Sequence, residues 1–267
     1  MRITLLLLFF TAICSCKGGV YRAPSDSMAE TIREGETFYI RSANQFNRND
    51  IVAFNYYGDD YMAAPDDNGH FQKQWEKRFC RLIAVSGDSL QIRNDTVYLN
   101  GRALAFPPGA KLMYKIYASS FIDDEMMALE ENNQLGPAQS LDNQIIYQLA
   151  LSRDQLAALQ KKYSEIIQVE HAYPEPIISL DTMYATLNPA LHWNNSNYGS
   201  IRIPAAGETI EVTTLNYKLY QAIPGIKIGL NKIKEQLYFV LGDNRHMCMD
   251  SRYIGLLAHS NMYGIVK

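Results

Sequence analysis

Between Thr37 and Leu99 the chain is divided into short runs rich in apolar and β-branched residues, each closed by a turn signal, and that rhythm predicts a mainly β fold. Thr37-Phe38-Tyr39-Ile40-Arg41 and Asp50-Ile51-Val52-Ala53-Phe54-Asn55-Tyr56 read as strands on either side of an Asn-rich turn. Residues 57–73, rich in Gly, Asp and Pro, read as an exposed loop. Strand character returns over Arg78–Val85, stops at Ser86-Gly87-Asp88, and resumes over Ser89–Arg93 and Thr96–Leu99 around Asn94-Asp95, the order of a β-meander.

Residues 103–205 read as an insertion. In it Gln144–Leu151 alternates as a strand, and Ser152 is placed to cap a helix over Arg153–Val169, with Leu156, Leu159, Tyr163 and Ile166 on one face. The last stretch, Gln236–Leu241, Gly242–Ile254 and Met262–Lys267, returns to strands and loops that complete the first domain. With 47% hydrophobic residues in 267, the chain can bury a sizeable core. The net charge of −3, from 25 basic and 28 acidic residues without a long block of either, argues against nucleic acid as a partner. No His, Cys and Asp cluster has metal-ligand spacing, and neither a metal nor an organic cofactor is implied.

At the N-terminus, Arg2 precedes an apolar run from Ile3 to Cys14 that is shorter than the about 20 residues of a spanning helix, as in an export signal. Its end, Ile13-Cys14-Ser15-Cys16, resembles a bacterial lipobox, which implies cleavage before Cys16 and a lipid on its thiol. An ordinary cleaved signal or a short anchor are the other readings, and all three place residues 20–267 outside the cytoplasm. Residues 1–16 are thus read as export signal with lipobox and 17–24 as linker, with a cell-envelope location on the periplasmic face. Thiol pairs oxidise and persist in such compartments, and Cys80 and Cys248 are the two cysteines left there.

Taken alone, Ser27 with Glu30 three residues on is a capping box that starts a short helix. Three segments in order say more. Ser25-x-Ser27-Met28-x-x-Thr31-Ile32 resembles the nucleophile box of the type I signal peptidases, Ser-Gly-Ser-Met-x-Pro-Thr-Leu. Residues 80–88, Cys-Arg-Leu-Ile-Ala-Val-Ser-Gly-Asp, resemble the family's Lys-Arg-x-Val-Gly-Leu-Pro-Gly-Asp. Residues 242–255, Gly-Asp-Asn-Arg-His-Met-Cys-Met-Asp-Ser-Arg-Tyr-Ile-Gly, resemble its Gly-Asp-Asn-Arg-x-x-Ser-x-Asp-Ser-Arg-x-x-Gly. The stretch His192–Pro204 is similar to the inserted domain of Bacteroidetes-type members.

The resemblance implies a signal-peptidase-like β core, residues 25–102 and 206–267, with a mixed α/β insertion at 103–205. It implies Ser27 as nucleophile, with its backbone N–H and the Ser25 hydroxyl as oxyanion hole, each donor worth about 3–4 kcal/mol. Arg81, Asp243, Asp250 and Arg252 fall at supporting positions, and Met28, Ile32 and Phe79 at positions of the substrate groove. Those three apolar side chains fit core packing equally well. Family members use a neutral Lys as general base, because a hydroxyl is a poor nucleophile until its proton is taken.

Here the Lys position holds Cys80. The Ser whose hydroxyl steadies that Lys is replaced too, by Cys248. Two thiols where two side chains normally touch imply a Cys80–Cys248 disulfide, worth around 4–5 kcal/mol in the chain-entropy model; two buried free thiols acting as small apolar residues are the alternative. A reduced Cys80 thiolate could in principle accept a proton. Lys77 reaches the site only if a bulge turns it to the Cys80 face. His246, the one other candidate base, reads as a solvated surface residue. Asp26 and Glu30 stand where the family has Gly and Pro, and would oppose an oxyanion if they face it.

Two functions follow. One is a catalytically silent, lipid-anchored homologue that keeps a groove for extended peptide or signal-peptide segments, or serves in an envelope protein complex. The other is an active signal peptidase, a serine endopeptidase removing leader peptides from exported proteins.

Overall fold

The computed structural model describes residues 18–59, 73–122, 139–141, 144–172 and 193–267. The segment read as an export signal, with Cys14 and Cys16, most of the stretch 57–73 read as a loop, and His192 lie outside the described residues. No helix among the described residues is long and apolar enough to cross a membrane.

The fold is mainly β, with four sheets among the described residues. The largest has seven strands: β1 (Gly18–Arg22), β2 (Thr37–Ser42), β3 (Ile51–Asp59), β4 (Lys73–Val85), β15 (Leu237–Leu241), β16 (Leu257–Ala258) and β17 (Met262–Val266), in the order β1-β2-β17-β3-β4-β15-β16. β15 is buried at all five positions, as a central strand must be, whereas β2 alternates exposed and buried. The segment read as a linker is thus partly a strand: β1 pairs with β2 from Gly18↔Arg41 to Arg22↔Thr37. Its run of polar and small residues hides an edge strand.

β5 (Ser89–Arg93), β6 (Thr96–Leu99) and β7 (Arg102–Ala103) form a second sheet with β12 (Tyr198–Arg202). The strands after the Ser86-Gly87-Asp88 turn therefore leave the first sheet rather than extend a meander. Between the two sheets lies the largest core cluster, with Leu90, Ile92, Tyr198, Phe239 and Leu241 among its members.

A third sheet, β11-β8-β10-β9, comes wholly from residues 111–171: β8 (Lys111–Ala118), β9 (Gln139–Leu141), β10 (Gln144–Ser152) and β11 (Ile166–His171). Helix α1 (Arg153–Lys162) packs on it through Leu156 and Leu159. The helix starts where Ser152 predicts but ends seven residues short of Val169. Ile166, Ile167 and Val169 are β-branched, and they form β11 against β8 instead. A small hairpin, β13 (Thr209–Val212) with β14 (Gly229–Lys232), and two short helices, α2 (Tyr217–Tyr220) and α3 (Ser251–Ile254), complete the described chain. The third sheet meets the core where Lys111 bridges Asn244 and its N–H donates to the Asp243 carbonyl at 2.9 Å.

Candidate functional site

Residues 25–32 follow β1 as a series of turns: Ala29 N–H donates to Asp26 O at 3.0 Å, and Thr31 and Ile32 N–H to Met28 O at 2.8 and 2.9 Å. The capping box expected of Ser27 and Glu30 does not form. Glu30 is drawn away by Lys111 at 3.0 Å and Arg33 at 2.6 Å, and Gln155 of α1 donates to it as well. Burial works against its charge, but Lys111 and Arg33 outweigh that and hold its carboxyl below the usual range. Asp26 accepts from the Glu34 N–H at 2.8 Å. Both added carboxylates are therefore committed to partners. Ser25 is exposed and Ser27 half-buried, and neither hydroxyl makes a hydrogen bond among the described residues.

The loop after β15 holds this turn from behind. Asn244 N–H donates to Ser27 O at 3.1 Å, Asn244 Nδ2 to Asp26 O at 3.2 Å, and Asp243 N–H contacts Met28 Sδ at 3.4 Å. The approach requires Gly242, where a Cβ would lie 2.2 Å from Cys248 Cβ and 2.8 Å from Ser27 O. Arg81 grips the fully buried Asp243 carboxylate through Nε at 2.9 Å and Nη2 at 2.6 Å, and Thr31 donates to the same group. Asp250 and Arg252 form a second two-pronged pair, fully buried, at 2.9 and 2.8 Å. Asp250 also accepts from Gly242 N–H, and Arg252 donates to the Arg245 and Asn195 carbonyls. Each buried charge in these pairs thus has the hydrogen bonds it needs.

Cys80 lies on β4 opposite Val52, and its Sγ stands 3.4 Å from Cys248 Sγ. The expected disulfide is absent: a bond needs about 2.05 Å, and both residues are free, buried thiols. They fill space with Val52, Leu82 and Val240 as small apolar side chains. Burial and the neighbouring thiol push the Cys80 thiol well above its ordinary value, which disfavours the thiolate that could accept a proton.

The β3–β4 register runs from Ile51↔Arg81 to Asp59↔Lys73 with no bulge, so Lys77 and Cys80 face opposite ways. The Lys77 ammonium lies 4.9 Å from the Tyr21 ring and 5.3 Å from the Tyr263 ring. Tyr21 and Tyr263 come from β1 and β17, and no motif marks them in the sequence.

Met28, Ile32 and Phe79 are buried together, with Phe38 edge-on to Phe79 at 5.0 Å. Tyr21, Ile51 and Tyr263 form the accessible rim of that cluster. His246 is half-buried rather than a solvated surface residue, and burial lowers its pKa.

The three boxes thus converge: the Ser27 turn on the 242–252 loop, and Cys80 and Arg81 of β4 on Cys248 and Asp243 of that loop. A sequence model described as "Signal peptidase, peptidase S26" matches residues 1–164 and 178–267. The chain belongs to the signal peptidase family, peptidase S26. It is 32% identical over 91 residues to signal peptidase I of Bacillus licheniformis, a match covering 33% of this chain and 41% of that protein. The chain is therefore matched to less than half the length of that relative. In this member of the signal peptidase family, the Ser27 turn is braced by a loop that carries buried Asp–Arg pairs, and two thiols meet behind it.

Proposed function

We propose that this chain is a catalytically silent signal peptidase homologue, anchored at the membrane by a lipid on Cys16, that holds extended peptide segments without cutting them. The observation carrying this reading is the buried Cys80 thiol, pushed well above its ordinary value and 3.4 Å from Cys248 Sγ, at the position where the resemblance puts the family's general base. A serine hydroxyl without a base loses the factor of about 10²–10⁴ that general-base catalysis supplies.

The peptide-binding half of the reading rests on strand edges. β15 pairs with β4 only from Arg81 to Val85, and ahead of Arg81 the described ladder of β4 is on the β3 side alone. A peptide adding there would gain main-chain hydrogen bonds beside the apolar rim of Tyr21, Ile51 and Tyr263. Such a peptide would come from an exported protein's leader, on the periplasmic face of the envelope.

The test is fluorescence anisotropy of a labelled leader peptide with the full chain in detergent, followed by mass spectrometry of the peptide. Saturable binding with the peptide recovered intact supports the reading. Absence of binding by folded protein would leave an assembly role unrelated to peptides and end the groove proposal.

A further inference from the structure

Lys77 is an exposed cation that the fold positions without giving it a counter-ion. Its ammonium lies against the rings of Tyr21 and Tyr263, which come from β1 and β17. Ring faces attract an ammonium but supply no carboxylate. The residue opposite it on β3 is Asn55, which is uncharged. Its acidic neighbour on β4, Glu76, points to the other face of the strand and pairs with Arg78. None of the ion pairs among the described residues includes Lys77.

Its place is the groove rim. Lys77 shares a face of β4 with Phe79, two residues on, and Phe79 is buried with Met28 and Ile32. Tyr21 and Tyr263, the two rings against the ammonium, border that same cluster. Lys77 also lies in the part of β4, ahead of Arg81, whose described ladder is on the β3 side alone. A peptide strand laid along this stretch turns every second side chain toward the Phe79 face, and one of these stands beside Lys77. An unpaired ammonium at that point favours an opposite charge and opposes a like one.

We propose that Lys77 is a specificity-determining residue, selecting extended peptides that carry an Asp or Glu side chain at the position beside it. The proposal rests on the groove reading and adds the acidic side chain to it. The pair forms at the surface, so the expected gain is a factor of roughly three to five in Kd. A carboxylate one residue to either side points to the opposite face, where Arg78 is already paired with Glu76, and gains nothing comparable.

The test is fluorescence anisotropy of the full chain in detergent with labelled leader peptides, identical except for one Asn or Asp placed at successive positions. At low salt the Asp peptide should bind more tightly than its Asn counterpart at one position and not at the positions flanking it. The preference should shrink in about 1 M salt, where charges are screened beyond roughly 3 Å. Lys77→Gln should bind both peptides alike, and Lys77→Glu should prefer a Lys peptide over the Asp peptide, with Tm confirming that both variants fold. Equal affinity for Asp and Asn at every position, or a preference unchanged in Lys77→Gln, would overturn the proposal and leave the groove standing. No saturable binding of any peptide would overturn both.

Discussion

Arg252 and Asp250 are both removed from water, and each is the other's main partner. Arg252→Met leaves a buried carboxylate that still accepts from Gly242 N–H but has lost its cation, so urea unfolding should show a loss of about 3–5 kcal/mol. The Gly242 contact is steric rather than electrostatic. Gly242→Ala puts a methyl group onto Cys248 and the Ser27 carbonyl, and should cost about 1–3 kcal/mol by the same measurement. An unchanged midpoint in either variant would contradict these packing arguments. The residues behind both predictions were legible in the sequence because they fall in one long box. The state of the two cysteines was not. Their juxtaposition followed from the resemblance, but a thiol contact at 3.4 Å and a bond differ by little more than an ångström, which no sequence pattern encodes.

At the scale of elements, the turn between β4 and β5 depends on one carboxylate. Asp88 receives Arg48, the Val85 N–H and Asn100 Nδ2. Burial raises its carboxyl, but these donors outweigh it and hold the group below its ordinary value. A depressed carboxyl contributes stability above the unfolded value of about 4, lost as pH falls through the lower folded value. The urea midpoint should therefore drop between pH 5 and pH 3, and Asp88→Asn should flatten that drop; parallel profiles would contradict the assignment. At α1, Ser152 accepts from Gln155 N–H while Gln155 answers the Ser152 N–H. Ser152→Ala should cost about 1 kcal/mol in thermal unfolding. The start of α1 was readable from this cap. Its end was not, because the apolar period continues past Lys162 and only the partner strand β8 decides that Ile166–His171 becomes β11.

Over the whole molecule, the mainly β class and most central strands follow from alternation and turn residues, as with β5 and β6 around Asn94-Asp95. What local pattern does not hold is the pairing of distant segments. β1 looks like a linker until β2 gives it a partner. The ion pair of Glu30 with Lys111 joins the serine turn to the third sheet across eighty residues of chain, and neither residue carries a motif for it. Lys77 shows the opposite case: the period of a strand places it on the far side of β4 from Cys80, and the unbroken β3–β4 register agrees. The fold thus keeps the frame around Ser27 and lacks a neutral amine at the Cys80 position. The most direct test is turnover of a fluorogenic leader peptide by the full chain in detergent, beside its Ser27→Ala variant. The account predicts the same background rate for both proteins; turnover by the wild type that Ser27→Ala abolishes would contradict it.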